Sequence, residues 1–188
     1  RHIDFHRFSQ IAERANAYFV ADIAHIAGLV AANFHQSPVP FADCVTSSTH
    51  KTLRGPRGGM ILTKKAHAKA VDKAVMPGIQ GGPLMQQIAA KTLVFSYAQD
   101  PSFKQYQQQI LRNAQALATA LQERGYRLVT EGTDTHLMVI DLRDKNITGK
   151  KAEEALAQAG ITTSRSCIPF DPQKPWITSG LRLGTPAV

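Results

Sequence analysis

Two residues that could do chemistry together, Asp22 and Lys51, each lie near the end of an apolar segment. Asp22 belongs to residues 17–24, which are too continuously apolar for a half-exposed strand and predict a strand buried on both faces, as in a parallel sheet covered by helices. Lys51 follows a second such segment at residues 43–47. The separation of 29 residues is close to one strand–crossover–strand unit, so both side chains are predicted to flank one crevice at the carboxyl ends of the strands.

An acid and an amine that meet across such a crevice are the pair that a pyridoxal-phosphate enzyme requires. The amine forms a Schiff base with the aldehyde, and the acid keeps the pyridine nitrogen protonated so that the ring can withdraw electrons from a developing carbanion. Taken one at a time, Asp22 could be a capping or core-edge carboxylate and Lys51 a solvated surface amine. Their spacing favours the functional interpretation.

Three other features could contribute to a ligand site, and each has a structural alternative. His25 could face the same crevice as Asp22 or could be a structural histidine. Gly81 and Gly82 precede a proline predicted to open a helix, so they could offer backbone N–H groups to an anion or form a tight turn. Arg182 lies in a short apolar strand, where it could clamp a carboxylate or make an internal ion pair.

The elements that position these residues alternate between strand and helix, which predicts an α/β domain followed by a smaller α+β unit. Capping or first-turn residues predict helix starts at Asp4, Pro83, Asp100 and Thr148. Further strands are predicted at residues 59–63, 127–129, 136–141 and 179–185. We therefore predict part of a cofactor-binding large domain at residues 1–100, and a connecting helix with part of a C-terminal small domain at residues 101–188.

The charge distribution bears on the class of partner. The chain has 22 lysines and arginines against 14 aspartates and glutamates, a net charge of +8, and its one dense basic patch spans residues 51–73. The patch has no interleaved aromatic residues and no adjoining nucleic-acid motif. A positive field around an anionic small-molecule site is therefore the favoured interpretation.

Membrane, metal and disulfide classes are disfavoured by the residues. No apolar run approaches the roughly 20 residues of a membrane span. The histidines and cysteines at positions 25, 35, 44, 50 and 167 have no recognised zinc spacing, so no metal is expected. Cys44 and Cys167 are too few for a disulfide scaffold and indicate a reducing compartment. The start at Arg1 and the abrupt end lead us to expect a piece of a longer protein.

Five longer segments carry a family resemblance. They are DIAHIAGLVAA at 22–32, THKTLRGPRGG at 49–59, PGIQGGPLM at 77–85, GTDTHLM at 132–138 and TSGLRLGTP at 178–186. Together they resemble serine hydroxymethyltransferase over essentially the whole chain. The resemblance implies part of the large domain of a fold-type I pyridoxal-phosphate transferase, with a mostly parallel sheet covered by helices on both faces, and part of a smaller α+β C-terminal domain.

The resemblance also implies a reaction and a set of roles. The reaction is the reversible conversion of serine and tetrahydrofolate to glycine and 5,10-methylenetetrahydrofolate, with pyridoxal 5'-phosphate as cofactor and tetrahydrofolate as co-substrate. The implied catalytic residues are Lys51, as carrier of the internal aldimine, His50 and Thr52. The implied cofactor contacts are Asp22 at the pyridine nitrogen, His25 near the ring hydroxyl, Ser48, Arg57, and Gly81 and Gly82 at the phosphate of a neighbouring subunit. The implied substrate contacts are Arg182 for the amino-acid carboxylate and Lys174, Pro175 and Trp176 for folate.

The implied partners are serine, glycine and folate, in a cytoplasmic homodimer or dimer-based tetramer with no nucleic-acid or membrane partner. The family's cofactor-stacking histidine, catalytic glutamate and substrate tyrosines belong to an N-terminal half that is absent here, so the 188 residues alone are expected to be inactive. Two alternatives stay open. One is a folate-independent aldolase of the same fold acting on β-hydroxy amino acids, and the other is a non-catalytic basic fragment that acts by binding.

Overall fold

The computed structural model describes residues 1–187, and the chain divides into two compact units. The first unit comprises His2–Gln107, and the second comprises Arg1 together with the residues from Gln108 onward. The division falls within one long helix, at a different place from the sequence boundary after residue 100. The two-domain assignment at 1–100 and 101–188 stays a prediction.

The first unit begins with helix α1 (Phe5–Arg14) and a small mixed sheet. Asp4 caps α1, because its Oδ1 accepts a hydrogen bond of 2.8 Å from the backbone N–H of Arg7. The sheet has the order β1 (Val20–Asp22), β2 (Cys44–Ser48), β3 (Gly59–Thr63), with β1 parallel and β3 antiparallel to β2. The short helix α2 (Ala27–Ala31) lies in the crossover between the parallel strands. The α/β class predicted from the sequence is confirmed.

The prediction that the first strand is buried on both faces is wrong for this chain. Ala21 is 3% exposed, whereas its neighbour Val20 is 59% exposed and Asp22 is also exposed. Burial therefore alternates along β1, as in a strand whose second face is not covered by the described residues. The strand is also shorter than residues 17–24, because Asp22 accepts a hydrogen bond from the backbone N–H of Ala24 and turns the chain.

Helices make up the rest of the first unit. Helix α3 (Lys65–Lys73) leads into a wide turn at Ala74–Ile79, which is followed by α4 (Met85–Tyr97) and the start of α5 (Pro101–Glu123). The predicted helix start at Pro83 is wrong: α4 begins at Met85, after Leu84 in an extended conformation. The predicted start of α5 is confirmed, and Asp100 accepts from the backbone N–H of Ser102.

The second unit is an antiparallel sheet packed with helices. Its strands are β4 (Arg127–Leu128), β5 (Leu137–Asp141), β6 (Ser164–Ser166) and β7 (Gly180–Gly184), in the order β4-β5-β7-β6. Helix α6 (Gly149–Gln158) is capped by Thr148, as its sequence predicts, and β6 is a strand that the sequence analysis missed. The core combines small helical residues with apolar residues of the strands and of the turn that follows β5: Ala114, Ala118, Leu128, Met138, Ile140, Leu142, Ala152 and Leu181.

Candidate active site

Asp22 lies at the carboxyl end of β1, opposite Thr46 on the parallel strand β2. The Thr46 hydroxyl donates a 2.7 Å hydrogen bond to Asp22 Oδ2, and the Ala24 backbone N–H donates a 2.9 Å bond to Oδ1. Both carboxylate oxygens are therefore oriented by the strand ends. The side chain nevertheless remains exposed on the open face of the sheet.

The electrostatic surroundings of Asp22 keep it ionised. The Thr46 hydrogen bond lowers the pKa of the Asp22 carboxyl most, burial opposes it, and the Ala24 N–H bond lowers it further. The positive charges of Lys51 and His25 also lower this pKa. The carboxylate thus interacts electrostatically with both residues that the sequence analysis paired with it, as expected if the three open onto one region of the first unit.

The loop that carries Lys51 is closed by backbone hydrogen bonds. The N–H of Gly55 donates to the Thr49 carbonyl at 2.8 Å, and the N–H of Arg54 donates to the Lys51 carbonyl at 2.9 Å. A Cβ at position 55 would lie 2.5 Å from the Thr49 carbonyl oxygen, so only glycine permits this closure. Lys51 itself is half-buried within this hydrogen-bonded loop.

Thr52 and Ser48 connect this loop to the segment after β1. The buried Thr52 hydroxyl donates to the His25 carbonyl at 2.8 Å and accepts from the Gly28 N–H at 3.0 Å. The Ser48 hydroxyl lies 3.4 Å from the Ala24 carbonyl, to which it donates. Thr52 was predicted to be catalytic from the family resemblance, and the structure engages its hydroxyl in holding the His25 and Lys51 segments together.

His50 carries a polar atom that the fold does not satisfy. Its Nδ1 is buried and has no hydrogen-bond partner within residues 1–187. Because buried polar atoms are normally paired, this ring nitrogen next to Lys51 has the capacity to bond a ligand.

Three other predicted cofactor contacts, Arg57, Gly81 and Gly82, line one cavity of about 1090 Å³ in the first unit. Thr46, which orients Asp22, lines it as well. A Cβ at either glycine would meet no atom within 4 Å, so the backbone there is open to an approaching group. The glycines do not immediately precede a helix as predicted, because α4 begins only at Met85.

The predicted substrate residues lie in the second unit. Arg182 is half-buried on β7, between Val139 and Ser164 on the neighbouring strands. Within the described part of the chain no carboxylate lies in ion-pair distance of its guanidinium. The sequence allowed Arg182 to form an internal ion pair, and none is present within residues 1–187.

Lys174, Pro175 and Trp176 lie in an exposed loop. The Lys174 Nζ is 5.4 Å from the centre of the Trp176 ring, a cation–π distance. Asp171 anchors the loop by accepting from the N–H groups of Ile168, Gln173 and Ser179 and from the Ser179 hydroxyl.

Sequence reasoning missed three residues that bond these groups: Thr46, Asp171 and Gln107, whose buried side chain donates to the Thr52 carbonyl. The Asp-Pro pair at 171–172 is a turn signal that could have revealed Asp171. Gln107 falls between Phe103 and Ile110 on the apolar stripe of α5, where a polar residue is unexpected.

Residues 1–187 contain neither a cluster of metal ligands nor a membrane-spanning helix. No three His, Cys, Asp or Glu side chains in this range are grouped so that they could hold a metal ion. None of the helices in this range combines the length and apolar character needed to cross a bilayer.

Comparison with known proteins identifies the family. The family model described as serine hydroxymethyltransferase matches residues 1–188. The serine hydroxymethyltransferase of Myxococcus xanthus (strain DK1622) is 58% identical over 188 residues, which are 100% of this chain and 45% of that protein. The chain thus spans about half the length of the curated relative that it matches. It belongs to the serine hydroxymethyltransferase family, whose members are fold-type I pyridoxal-phosphate enzymes, and it has part of their α/β architecture.

Proposed function

We propose that this chain supplies part of the active site of an enzyme that interconverts serine and glycine. The proposed reaction transfers the hydroxymethyl carbon of serine reversibly to tetrahydrofolate, giving glycine and 5,10-methylenetetrahydrofolate. The observation that carries the proposal is the ionised Asp22 carboxylate, oriented by Thr46 and influenced by the charges of Lys51 and His25. The match of the whole chain to the family model supports the same activity.

The residues of the first unit fit pyridoxal 5'-phosphate by their chemistry. Asp22 would hold the protonated ring nitrogen, Lys51 would hold the cofactor covalently, and His25 would lie near the ring hydroxyl. Arg57 would supply positive charge to the phosphate, and the open backbone of Gly81 and Gly82 would meet the phosphate of a cofactor held by a neighbouring subunit. When bound, the cofactor supplies an electron sink for a carbanion at the amino-acid α-carbon.

The contribution of Asp22 follows from its fixed charge. A carboxylate held ionised by a hydroxyl and a backbone N–H can keep a proton on the nitrogen opposite it, because proton loss would leave the carboxylate without its cationic partner. His50 adds a buried ring nitrogen next to Lys51 that makes no hydrogen bond within residues 1–187. Thr52 and Ser48 keep the segments that carry these groups in register.

The second unit would bind the substrates. A half-buried guanidinium that pairs with no carboxylate among residues 1–187 is suited to a ligand carboxylate, to which its planar fork can donate two parallel hydrogen bonds. We assign Arg182 to the carboxylate of serine or glycine on this ground. Lys174, Pro175 and Trp176 present a cation and an exposed ring, which match the carboxylates and aromatic rings of folate.

We further propose a homodimer or dimer-based tetramer, in the cytoplasm. Leu84, Met85 and Leu93 are 64%, 65% and 72% exposed on or next to α4, and large exposed apolar residues of this kind favour association. The same stretch adjoins Gly81 and Gly82, which would then face the cofactor of a neighbouring subunit. Cys44 and Cys167 are both free, which supports a reducing compartment.

The test uses a chimera in which this chain replaces the segment of the Myxococcus xanthus protein that aligns with it. Borohydride reduction of the chimera with pyridoxal phosphate should attach the cofactor to Lys51, and Lys51→Ala should abolish both the attachment and serine turnover. Lys65→Ala, an exposed lysine on α3, is the matched control and should change neither. Attachment to another lysine would overturn the assignment.

Substrate dependence separates the alternatives. Serine turnover by the chimera should require tetrahydrofolate, whereas cleavage of β-hydroxy amino acids without folate would identify an aldolase. The isolated 188-residue chain is expected to show no turnover, so measurable activity of that chain would contradict the proposal. Tight nucleic-acid binding at physiological salt without any cofactor attachment would favour a basic binding fragment.

A further inference from the structure

Gln107 is a fully buried polar side chain on α5 that the proposed reaction does not use directly. Its exposed fraction is 0%, and it lies one helical turn from the equally buried Phe103 and Ile110. Burying a carboxamide among apolar residues costs free energy unless its hydrogen bonds are made. The Gln107 Oε1 has no partner within residues 1–187, so only the amide nitrogen offsets that cost.

The amide nitrogen of Gln107 donates a 2.7 Å hydrogen bond to the backbone carbonyl of Thr52. The Thr52 carbonyl oxygen can only accept a hydrogen bond, so the Gln107 amide must present its nitrogen to it. With the amide flipped, Oε1 would face the carbonyl oxygen, and both atoms are acceptors. Space for this contact depends on Gly28, where a Cβ would lie 2.3 Å from the Thr52 carbonyl oxygen and 2.7 Å from Gln107 Nε2. The packing of three segments therefore converges on this one bond.

Thr52 is fixed by hydrogen bonds to both its backbone carbonyl and its side-chain hydroxyl. Gln107 fixes its carbonyl, and its hydroxyl bonds the His25 carbonyl and the Gly28 N–H. The residue before it is Lys51. The neighbouring residue on α5, Tyr106, lies under the Arg54 guanidinium at 4.7 Å, so α5 contacts the Lys51 loop at two adjacent points.

We propose that Gln107 is a positioning residue that acts through Thr52 to hold Lys51 and His25 in register with Asp22. The inference rests on the proposed function for its consequence in catalysis. The inference has a structural half, that the position of the Thr52 segment depends on Gln107, and a catalytic half. The structural half concerns only this chain's own atoms. The two halves can therefore be tested separately.

The structural half is tested by hydrogen exchange of the Gly28 amide in the chimera without cofactor. This amide donates to the Thr52 hydroxyl, so it reports on the position of Thr52. Gln107→Met, which keeps length and removes the donor, should raise its exchange rate at least about tenfold. Gln108→Met, at the exposed neighbouring position, is the matched control and should leave it unchanged. Unchanged protection in a folded Gln107→Met chimera would overturn the inference.

A second variant keeps the test decisive if Gln107→Met does not fold. In Gln107→Glu the protonated acid can donate to the Thr52 carbonyl, but the carboxylate cannot. Gly28 protection should therefore be near normal at low pH and fall at least about tenfold as the acid ionises. Protection that does not depend on pH in this variant, with Gln108→Glu as control, would also overturn the inference.

The catalytic half is tested with cofactor bound. Gln107→Met should lower kcat about tenfold with little change in KM, and should shift the pH titration of the bound cofactor's visible absorbance, because the amine of Lys51 is displaced relative to Asp22. Gln108→Met should do neither. A normal titration and kcat beside faster Gly28 exchange would refute positioning while leaving the proposed function intact. Absence of cofactor binding in every chimera would instead refute the proposed function.

Discussion

The strands β1 and β5, one from each unit, both end in an aspartate, but the two aspartates differ in burial and in hydrogen-bond partners. Asp22, at the end of β1, is exposed, and within residues 1–187 its carboxylate accepts from one hydroxyl and one backbone N–H. Asp141, at the end of β5, is 4% exposed and is held by Arg143, whose Nη2 and Nε donate to its two oxygens at 2.7 and 3.0 Å. The Arg143 hydrogen bond is the main cause of the lowered pKa of Asp141.

Two arginines of the second unit, Arg143 and Arg182, differ in the same way. Arg143 has an internal carboxylate, and Arg182 has none within residues 1–187. A charged group whose hydrogen bonds are completed by the fold contributes to stability, whereas one left with unused capacity can bind a ligand. Asp141 and Arg143 are therefore structural charges, whereas Asp22 and Arg182 are candidate ligand-binding charges.

Loss of turnover on substitution should be greatest for Asp22 and slight for Asp141. In the chimera, Asp22→Asn should lower serine turnover by about 100- to 1,000-fold, because a neutral amide cannot stabilise a protonated ring nitrogen. Its unfolding free energy should change by less than about 0.5 kcal/mol, since the side chain is exposed. Asp141→Asn should do the reverse, costing about 1–3 kcal/mol of stability with little loss of turnover. Steady-state kinetics and urea unfolding measure both, and equal effects on turnover would remove the distinction.

The next effect concerns the two arginines. Arg182→Ala should weaken serine binding by about 2–5 kcal/mol, because it removes a charge that pairs with the ligand carboxylate. It should not lower the stability of the chimera, since no internal ion pair is lost within the described residues. Arg143→Ala should leave affinity unchanged and lower stability, because Asp141 is left buried without its main partner. Calorimetric titration with serine provides the measurement, and normal affinity in Arg182→Ala would give that arginine a structural role.

The elements that the sequence predicted well are those set by local contacts. The cap at Asp4 and the start of α5 after Asp100 depend on hydrogen bonds between residues two or three positions apart. The exposure of the second face of β1 could not be predicted, because it depends on which elements cover the sheet. The strand β6 was missed because Ser164–Ser166 has no apolar alternation.

The candidate site was predictable where residue types carry the signal. Asp22 and Lys51 could be paired from the length of a strand–crossover–strand unit, and their electrostatic interaction agrees with that pairing. The contact of Gln107 could not be found this way, since its partner is a backbone carbonyl 55 residues away and a carbonyl has no side-chain signature. The open space beside Gly81 and Gly82 likewise depends on neighbouring backbone rather than on their own identity.

A smaller effect is expected for Asp171, a carboxylate of the second unit that the fold stabilises in its ionised form. Burial opposes its ionisation, but the hydrogen bonds from Ser179, Gln173 and Ile168 outweigh burial and lower its pKa from 3.8 to about 2. Because the folded pKa is the lower one, the carboxylate stabilises the fold above pH about 4, and this contribution of about 1–2 kcal/mol is lost as the pH falls towards 2. Asp171→Asn should therefore reduce the unfolding free energy at pH 7 and flatten its acid dependence between pH 4 and 2, and Ser179→Ala should do so partly. Urea unfolding across this range measures the difference, and parallel acid branches for the wild type and Asp171→Asn would show that Asp171 does not hold its loop as an anion.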